Sequence, residues 1–269
     1  MTKLIESNVI TKVKKLTVKN ILLLTATITP KSDVPNLKRA DPYIRLQDYK
    51  AALKFYLAGI NHEWDAIVFA ENSNSDISEL KELVEQHDLS KNVEFIVFDG
   101  LDYPPHYDRG YGEFKLLDYA MEHSQFINAQ HERVVVWKVT GRYVVKNLGA
   151  LINRQPANFD VYCNFRNHPK HWVDTFLIAW TPTAYRACLK GVYHRLKTNV
   201  PEVPLGVAAE ELLRNWFDQQ STIKFAYRFK VTPWVDGTRG ADNKGYSTDN
   251  RWKISLRSAI NTLLPWLWI

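Results

Sequence analysis

The feature that most constrains the fold is a regular alternation of short apolar runs with segments of helical spacing. Four apolar runs predict buried strands, over residues 20–27, 65–70, 93–98 and 133–139. Apolar residues at helical spacing between the runs predict helices over residues 45–58, 77–87 and 112–123. Strands that alternate with helices in this way form a mostly parallel central sheet flanked by helices. We therefore predict an α/β fold.

The same kinds of pattern continue along the chain. They predict strands over residues 159–165, 175–180 and 224–231, and helices over residues 183–196 and 208–217. No internal repeat or long linker divides the 269 residues, so we predict a single domain over residues 20–250. We expect a basic segment, residues 1–19, before this domain. A basic and Trp-rich segment, residues 251–269, follows it and either packs on the domain or touches a membrane.

Composition excludes several classes of protein. Hydrophobic residues make up 45% of the chain, which is too high a share for a disordered protein. The two cysteines, Cys163 and Cys188, lack the spacing of a zinc site or a disulfide scaffold. No run approaches the roughly 20 apolar residues that span a bilayer, and the N-terminus lacks a secretory pattern. We therefore expect a cytoplasmic protein.

The net charge of +6 is concentrated toward the two ends of the chain. Near the C-terminus, Arg251, Lys253 and Arg257 precede Trp266 and Trp268 without any acidic residue. Positive charge beside Trp is typical of segments that lie on an anionic membrane, here its inner face. A C-terminal helix whose Trp side chains cap the core explains the pattern equally well. Both interpretations remain open at this point.

Polar residues follow each of the first four predicted strands. Ligands of parallel sheets bind beyond the carboxyl ends of the strands, so these residues should converge on one crevice. The chain has no Walker-type phosphate loop, no nucleophile elbow and no His-Glu-x-x-His zinc motif. Arg109, Gly110 and Gly112 precede a predicted helix. They fit either a turn whose amide groups bind an anion or a loop with a purely geometric role.

The fourth predicted strand ends in residues that suit an anion. On an extended strand Lys138, Thr140 and Arg142 share one face, and Gly141 allows close backbone approach. Two cations with a hydroxyl group between them fit a phosphate or a diphosphate. The alternative is an ion pair with an acid from a neighbouring strand.

These blocks, in this order, resemble the nucleotide-sugar-binding glycosyltransferases of the GT-A type, especially small bacterial enzymes of capsule and lipopolysaccharide assembly. The stretches that carry the resemblance are residues 25–27, 69–73, 99–100, 109–113 and 138–143. It implies a single GT-A-like, Rossmann-like domain. The implied function is transfer of a sugar from a nucleotide-sugar donor to a glycan or lipid-linked acceptor in surface polysaccharide synthesis.

The resemblance also implies which residues contact the substrates. The implied donor-binding residues are Thr25, Ala26, Thr27, Glu71, Asn72, Asp99, Arg109, Gly110, Lys138, Thr140, Gly141 and Arg142. The polar residues after the strands also fit helix N-caps. The implied acceptor-binding residues are Trp234, Asp236 and Arg239. Their loop is either a lid, in which the Trp face suits a sugar ring, or a plain surface loop.

One departure from the family pattern concerns the metal. GT-A enzymes usually carry Asp-x-Asp at the end of the fourth strand, where this chain has Lys138, Val139 and Thr140. These side chains cannot supply the paired carboxylates that a hard divalent cation prefers. We therefore expect no metal and no other cofactor, with Lys138 and Arg142 neutralising the leaving diphosphate.

Transfer with inversion also needs a carboxylate that accepts the proton of the acceptor hydroxyl. The family places this acid late in the chain, at the start of a helix, where Glu210 and Glu211 lie. Helical spacing turns Glu210 toward the apolar side with Leu213 and turns Glu211 toward water, so we predict Glu210 as the catalytic base. A structural Glu–Arg pair or an acid that suits the helix dipole are the alternatives. Asp174 is the reserve candidate.

Two other functions compete with glycosyl transfer. A sugar-phosphate nucleotidyltransferase would normally carry a Gly-rich loop after the first strand, and residues 25–30 contain no glycine. A nucleic-acid-binding protein agrees with the basic charge, but no recognised motif or continuous basic stripe occurs. We therefore expect a nucleotide-sugar donor and a glycan or lipid-linked acceptor as partners, and no nucleic acid.

Overall fold

The computed structural model describes residues 18–129, 133–245, 251–264 and 267–268. The strands of this part are β1 (Val18–Ala26), β2 (Ala66–Glu71), β3 (Val93–Val97), β4 (Arg133–Thr140), β5 (Val144–Val145), β6 (Val161–Tyr162), β7 (Phe165–Arg166), β8 (Trp172–Val173), β9 (Leu177–Trp180), β10 (Phe225–Ala226) and β11 (Val235–Asp236). The helices are α1 (Pro42–Leu57), α2 (Ser78–Gln86), α3 (Asp108–His123), α4 (Leu148–Asn153), α5 (Pro182–Ala184), α6 (Ala209–Phe217) and α7 (Arg251–Leu263).

Seven strands form the central sheet, in the order β10-β6-β9-β4-β1-β2-β3. β1 pairs in parallel with both β2 and β4, and β2 pairs in parallel with β3. β9 runs antiparallel to its neighbours β4 and β6. The predicted α/β fold with a mostly parallel central sheet is therefore confirmed.

The first strands are apolar on nearly every residue because helices cover both faces of the sheet. Leu22 and Leu24 of β1 belong to one buried cluster, which includes residues of α1 and α2. Ile21 and Leu23 belong to a second cluster, which includes residues of α3 and α6. Successive residues of β1 therefore alternate between two apolar layers, and neither face of this strand is left for water.

Several of the later predictions need correction. The predicted strand 159–165 is divided between β6 and β7, and β7 forms a hairpin with β8. The predicted strand 224–231 is reduced to the two residues of β10. The predicted helix 183–196 is interrupted because Gly191 takes the left-handed conformation, with φ of 76°. Its halves are α5 with a π-helical turn, Tyr185–Leu189, and the 3-10 helix Val192–Arg195.

The C-terminal segment packs partly on the domain. The ring of Trp268 lies 6.3 Å from that of Phe165, and the guanidinium of Arg214 lies 5.8 Å from the Trp268 ring. Trp268 therefore fits the core-capping interpretation. Trp252 of α7 is 64% exposed, and membrane contact by this segment stays a prediction.

The two ends of the chain are described only in part. Within the basic segment 1–19, only Val18 and Lys19 are described, and Trp266 also lies outside the described residues. Cys163 and Cys188 are both buried and free. None of the helices in the described ranges is both long enough and apolar enough to cross a bilayer.

Candidate active site

A cavity of about 400 Å³ lies at the carboxyl ends of β1 and β4. α1 and α2 cover one face of the sheet, whereas α3, which leads from β3 to β4, covers the other. A crevice forms where the connections of adjacent parallel strands diverge in this way. The cavity brings together ten predicted site residues: Thr25, Ala26, Thr27, Arg109, Gly110, Thr140, Arg142, Asp174, Glu210 and Arg239.

Arg109, Arg142 and Arg239 form what we call the arginine corner of the cavity. Arg142 Nη2 and Arg109 Nη1 lie 3.1 Å and 3.8 Å from the point that a Cβ atom of Gly240 would occupy. Glycine at position 240 therefore leaves room between the guanidinium groups and the backbone.

The guanidinium of Arg142 is held in place but retains an unused donor. Arg142 is only 8% exposed, and its Nη1 donates to the carbonyl of Thr238 at 2.8 Å. Its Nε is buried and has no hydrogen-bond partner among the described residues, and the same is true of Arg239 Nε. A buried donor without an acceptor is costly, so these atoms point to an anionic ligand.

Arg45 also lines the cavity but serves the backbone. Its Nε donates to the carbonyl of Thr27 at 2.7 Å, and its Nη1 donates to the carbonyl of Arg39 at 2.9 Å. Its Nη2 donates to the Tyr49 hydroxyl at 3.2 Å. Burial lowers the pKa of this guanidinium. Arg45 thus fixes the chain just after β1, and sequence reasoning did not select it.

Glu113 of α3 is the centre of the polar network at the strand ends. Its Oε1 accepts hydrogen bonds from Thr25 Oγ1 at 2.8 Å and Thr140 Oγ1 at 3.0 Å, and lies 2.7 Å from Lys138 Nζ. Lys138 is fully buried and also donates to the carbonyl of Thr175 at 2.5 Å. Burial acts to raise the pKa of Glu113, but the Lys138 ammonium and the two hydroxyls bring it below its usual value.

This network corrects the role expected for Lys138. The side chain does not line the cavity and is not free to neutralise a diphosphate, because Glu113 occupies it. The ion-pair alternative is what the structure shows, with the acid supplied by a helix and not by a neighbouring strand. Arg142, by contrast, does reach the cavity.

Glu210 lies in the first turn of α6 and lines the cavity. Its Oε1 accepts a hydrogen bond from Thr175 Oγ1 at 3.2 Å. Burial raises the pKa of this carboxyl, and the nearby Glu113 carboxylate adds to the rise. Glu211 forms an ion pair with Lys170 at 2.8 Å, away from the cavity lining. Glu210 therefore lines the cavity, as helical spacing predicts, whereas Glu211 lies outside the lining with its side chain 20% exposed.

Asp174 lines the cavity but is already engaged. Arg166 Nη2 lies 2.7 Å from its Oδ1, and Asn164 Nδ2 donates to its Oδ2 at 2.7 Å. The indole of Trp172 donates to Oδ1 at 3.2 Å. Protein donors therefore already occupy both oxygens of Asp174.

Four of the predicted donor-binding residues lie outside the cavity lining besides Lys138. Glu71 is fully buried and accepts from the backbone amides of Ile28 and Ser75. Asn72 is buried and accepts from Thr27 Oγ1 at 2.6 Å. The remaining two are Asp99, which is exposed, and Gly141, which packs on the Thr25 carbonyl. Glu71 and Asn72 stabilise the loops after β1 and β2.

Only one of the three predicted acceptor-binding residues lines the cavity. Arg239 belongs to the arginine corner, but Trp234 and Asp236 lie outside the cavity lining. Asp236 pairs with Lys146 at 2.9 Å, and the Lys146 ammonium lies 5.2 Å from the centre of the Trp234 ring. Both residues belong to the region where β11 pairs with β5. Only the C-terminal end of the loop 233–240 therefore borders the cavity, and a role of the loop as a lid stays a prediction.

Gly110 is helical and allows α3 and α6 to approach closely. The helix α3 begins at Asp108, so the turn or loop predicted just before residue 112 is wrong. A Cβ atom on Gly110 would lie 2.2 Å from the Cβ of Ala209. Because Glu113 lies one turn after Gly110 and Glu210 follows Ala209, this contact brings the two carboxylates to the same cavity.

We expect Gly110→Ala to destabilise the fold by about 1–3 kcal/mol, as overpacked cores usually are. The added methyl group has no space beside Ala209, so the helices must move apart. The matched control is Gly110→Ala combined with Ala209→Gly, which moves the methyl group to the other helix. Urea denaturation should show recovery in the double variant. If Gly110→Ala and the double variant were equally stable, the contact between residues 110 and 209 would not limit how closely α3 and α6 approach.

Lys138→Met should destabilise the fold by about 3 kcal/mol, because the Glu113 carboxylate then loses its buried counter-ion. Lys138→Met combined with Glu113→Gln removes both charges and should recover most of the loss. Urea denaturation at neutral pH measures both effects. If the double variant were as unstable as Lys138→Met, packing and not charge would account for the loss.

Sequence reasoning also missed several aromatic and acidic residues of the cavity. Its lining includes Tyr49, Tyr103, Glu113, Tyr143 and Trp172. The sequence could have predicted a role for Glu113. In a helix that begins at Asp108, Arg109 and Glu113 are four residues apart and lie on the same face, so both can reach the same cavity. The aromatic residues come from distant parts of the chain, and no local pattern distinguishes them. Within the described ranges, no group of three or more His, Cys, Asp or Glu side chains is arranged to hold a metal ion.

No protein-family model matches the chain, and no curated protein sequence matches it. Solved structures show similarity in fold. A protein of Desulfovibrio desulfuricans G20 described as a nucleotide-diphospho-sugar transferase is 11% identical, with 90% of this chain and 96% of that chain covered and a TM-score of 0.45. The inositol-1-phosphate CTP transferase of T. maritima is 12% identical, with 90% and 96% covered and a TM-score of 0.41.

A glycosyltransferase involved in the glycosylation of the major capsid of PBCV-1 is 10% identical, with 79% of this chain and 82% of that chain covered and a TM-score of 0.40. At such identities these similarities concern the fold alone, and one fold hosts many activities. The function therefore rests on the residues of the cavity.

Proposed function

We propose that the chain is a glycosyltransferase that moves a sugar from a nucleotide-sugar donor to a glycan or lipid-linked acceptor. The observation that carries this proposal is the combination, in one cavity, of the arginine corner with the two carboxylates Glu113 and Glu210. Guanidinium groups with unused donors suit the diphosphate of a donor. Carboxylates suit the hydroxyl groups of sugars, as acceptors of hydrogen bonds and of a proton.

In this proposal each group has one role in the transfer. The arginine corner binds the donor diphosphate and stabilises the negative charge that develops as the bond to the sugar breaks. Glu210 accepts the proton of the acceptor hydroxyl as that oxygen attacks the sugar carbon from the opposite side, so the configuration at this carbon inverts. The raised pKa of Glu210 makes the carboxylate a stronger base than an ordinary glutamate.

We propose further that the reaction needs no divalent metal. The sequence carries Lys138 and Thr140 where the resembled family has Asp-x-Asp. Lys138 is paired with Glu113, and Arg109 and Arg239 are paired with Asp108 and Asp242 at the rim of the cavity. The neutralising charge therefore comes first from Arg142, whose printed hydrogen bond goes to a backbone carbonyl, and Arg109 and Arg239 add to it.

The biological setting is also part of the proposal. The resemblance to enzymes of capsule and lipopolysaccharide assembly supports a role in bacterial surface polysaccharide synthesis. The exposed Trp252 and the basic residues of the C-terminal segment support contact with the inner face of a membrane, where lipid-linked acceptors lie.

Product analysis tests the proposed activity. The protein is incubated with UDP-, GDP-, dTDP- and CMP-sugars, with EDTA or with Mn²⁺, and the released nucleotides are separated. Glycosyl transfer or slow donor hydrolysis releases a nucleoside diphosphate, or CMP from a CMP-sugar. A sugar-phosphate nucleotidyltransferase would instead release pyrophosphate from a nucleoside triphosphate and a sugar phosphate. The second assay therefore measures pyrophosphate release from a nucleoside triphosphate and a sugar phosphate. Turnover in this assay alone would identify a nucleotidyltransferase. Strict dependence of glycosyl transfer on Mn²⁺ would contradict the metal-independent mechanism.

A further inference from the structure

Among the described residues, one carboxylate oxygen of Glu113 has no hydrogen-bond partner. All three contacts of Glu113, from Thr25, Thr140 and Lys138, go to Oε1. In the described part of the chain, no hydrogen-bond donor reaches Oε2. The Glu113 side chain is 22% exposed and lines the cavity, so this acceptor is available to a ligand there.

The surroundings of Glu113 keep this oxygen ionised and fixed in position. Lys138 is fully buried, and its ammonium donates to Thr140 Oγ1 and to the Thr175 carbonyl as well as contacting Glu113. Three donors therefore hold Glu113 Oε1 in place, and Oε2 remains available as an acceptor. A fixed, charged acceptor favours a ligand that brings a hydrogen-bond donor, and it repels an anion.

The same network connects Glu113 to the predicted base. Lys138 Nζ donates to the carbonyl of Thr175, whose hydroxyl donates to Glu210 Oε1 at 3.2 Å. The arginine corner, with the unused Nε of the buried Arg142, belongs to the same cavity. One cavity thus contains the arginine corner, which can bind an anion, Glu113 Oε2, which can accept a hydrogen bond, and Glu210, which can accept a proton.

We propose that Glu113 Oε2 binds a hydroxyl group of the sugar carried by the nucleotide donor, while the donor diphosphate lies at the arginine corner. This inference rests on the proposed function. Glu113 is then a specificity-determining residue, and Lys138 is a positioning residue that acts through it. The affinity that the sugar adds to the nucleotide depends on Glu113, whereas the affinity of the nucleotide alone does not.

Calorimetric titration measures this difference. Each probe pair consists of a nucleoside diphosphate and its sugar derivative: UDP with UDP-glucose, GDP with GDP-mannose, and dTDP with dTDP-glucose. The variant is Glu113→Met with Lys138→Met, which replaces the ion pair by two apolar side chains and leaves no buried charge. We call the factor by which the wild type binds a nucleotide-sugar more tightly than the matching diphosphate its sugar advantage. For the pair that shows such an advantage, the affinity of the variant for the nucleotide-sugar should fall roughly 10- to 100-fold. The Kd of the variant for the diphosphate should stay the same.

A second variant separates direct contact from packing. Glu113→Gln with Lys138→Met retains an amide oxygen that accepts hydrogen bonds, so part of the sugar advantage should return. An unchanged sugar advantage in the Met–Met variant would overturn the inference, as would a wild type that binds a diphosphate but shows no sugar advantage. In either case the proposed function would stand. A wild type that binds none of these probes would contradict the proposed function itself.

Discussion

Replacing Glu210 with Gln is expected to lower kcat by at least 100-fold and to leave the Kd of the donor nucleotide within about twofold. General-base catalysis contributes roughly 10²–10⁴-fold to a rate, and an amide cannot accept the proton. The Glu210 side chain lies in the cavity and accepts hydrogen bonds from Thr175 and from its own backbone amide, both of which the amide oxygen of Gln can still accept. Steady-state turnover and calorimetric titration of the same preparation measure the two quantities.

The neighbouring acid gives a matched control. Glu211→Gln lies on the same helix, pairs with Lys170 outside the cavity lining, and should keep kcat within about twofold. Equal losses in both variants would indicate damage to the first turn of α6, and wild-type turnover by Glu210→Gln would remove Glu210 as the base. The Glu210 carboxyl must be ionised to act. Because its pKa lies above the ordinary value of 4.5, kcat should begin to fall with decreasing pH before an ordinary glutamate would titrate.

Arg142→Gln is the variant expected to weaken donor binding most. Arg142 is buried, is oriented by the Thr238 carbonyl and lines the cavity, and its Nε has no partner among the described residues. Removing a charged donor from a buried anion should raise the Kd of the nucleoside diphosphate by roughly 10- to 100-fold. Arg142→Lys should not restore binding, because an ammonium group cannot reproduce the planar fork of a guanidinium.

Arg154 provides the control for overall charge. It lies at the end of α4 beside Gln155, whose side chain contacts Asn20 near the start of β1, at the end of the strand opposite the cavity. Arg154→Gln should leave the diphosphate Kd unchanged. Equal weakening in Arg154→Gln and Arg142→Gln would attribute binding to net charge alone. A diphosphate Kd unaffected by Arg142→Gln would place the anion elsewhere.

The first half of the fold could be predicted because its signal is local. β1 to β4 are apolar on most residues, and the helices between them have a clear period. The orientation of Glu210 toward the cavity follows from the same helical period. Among the later elements, the sequence also predicts β9 and α6, at residues 175–180 and 208–217. The errors include β10, which has only two residues, and the predicted helix 183–196, which Gly191 interrupts.

The errors in the predicted site have a common physical origin. Strand alternation places Lys138 and Thr140 on one face but does not show that α3 covers that face and supplies Glu113. Glu71 and Asn72 likewise follow a strand, yet their hydrogen bonds go to neighbouring loops. A strand end predicts where a crevice lies, while long-range packing decides which of its polar side chains remain free for a ligand.

Metal-free binding of a nucleotide at the arginine corner is tested most directly by calorimetric titration of UDP, GDP, dTDP and CMP into the wild type in EDTA, with Arg142→Gln measured beside it. The arginine corner predicts saturable 1:1 binding of at least one of these nucleotides without metal, weakened roughly 10- to 100-fold in Arg142→Gln. If binding required Mn²⁺, or if none of the four nucleotides bound, the arginine corner would not be a metal-free site for the donor.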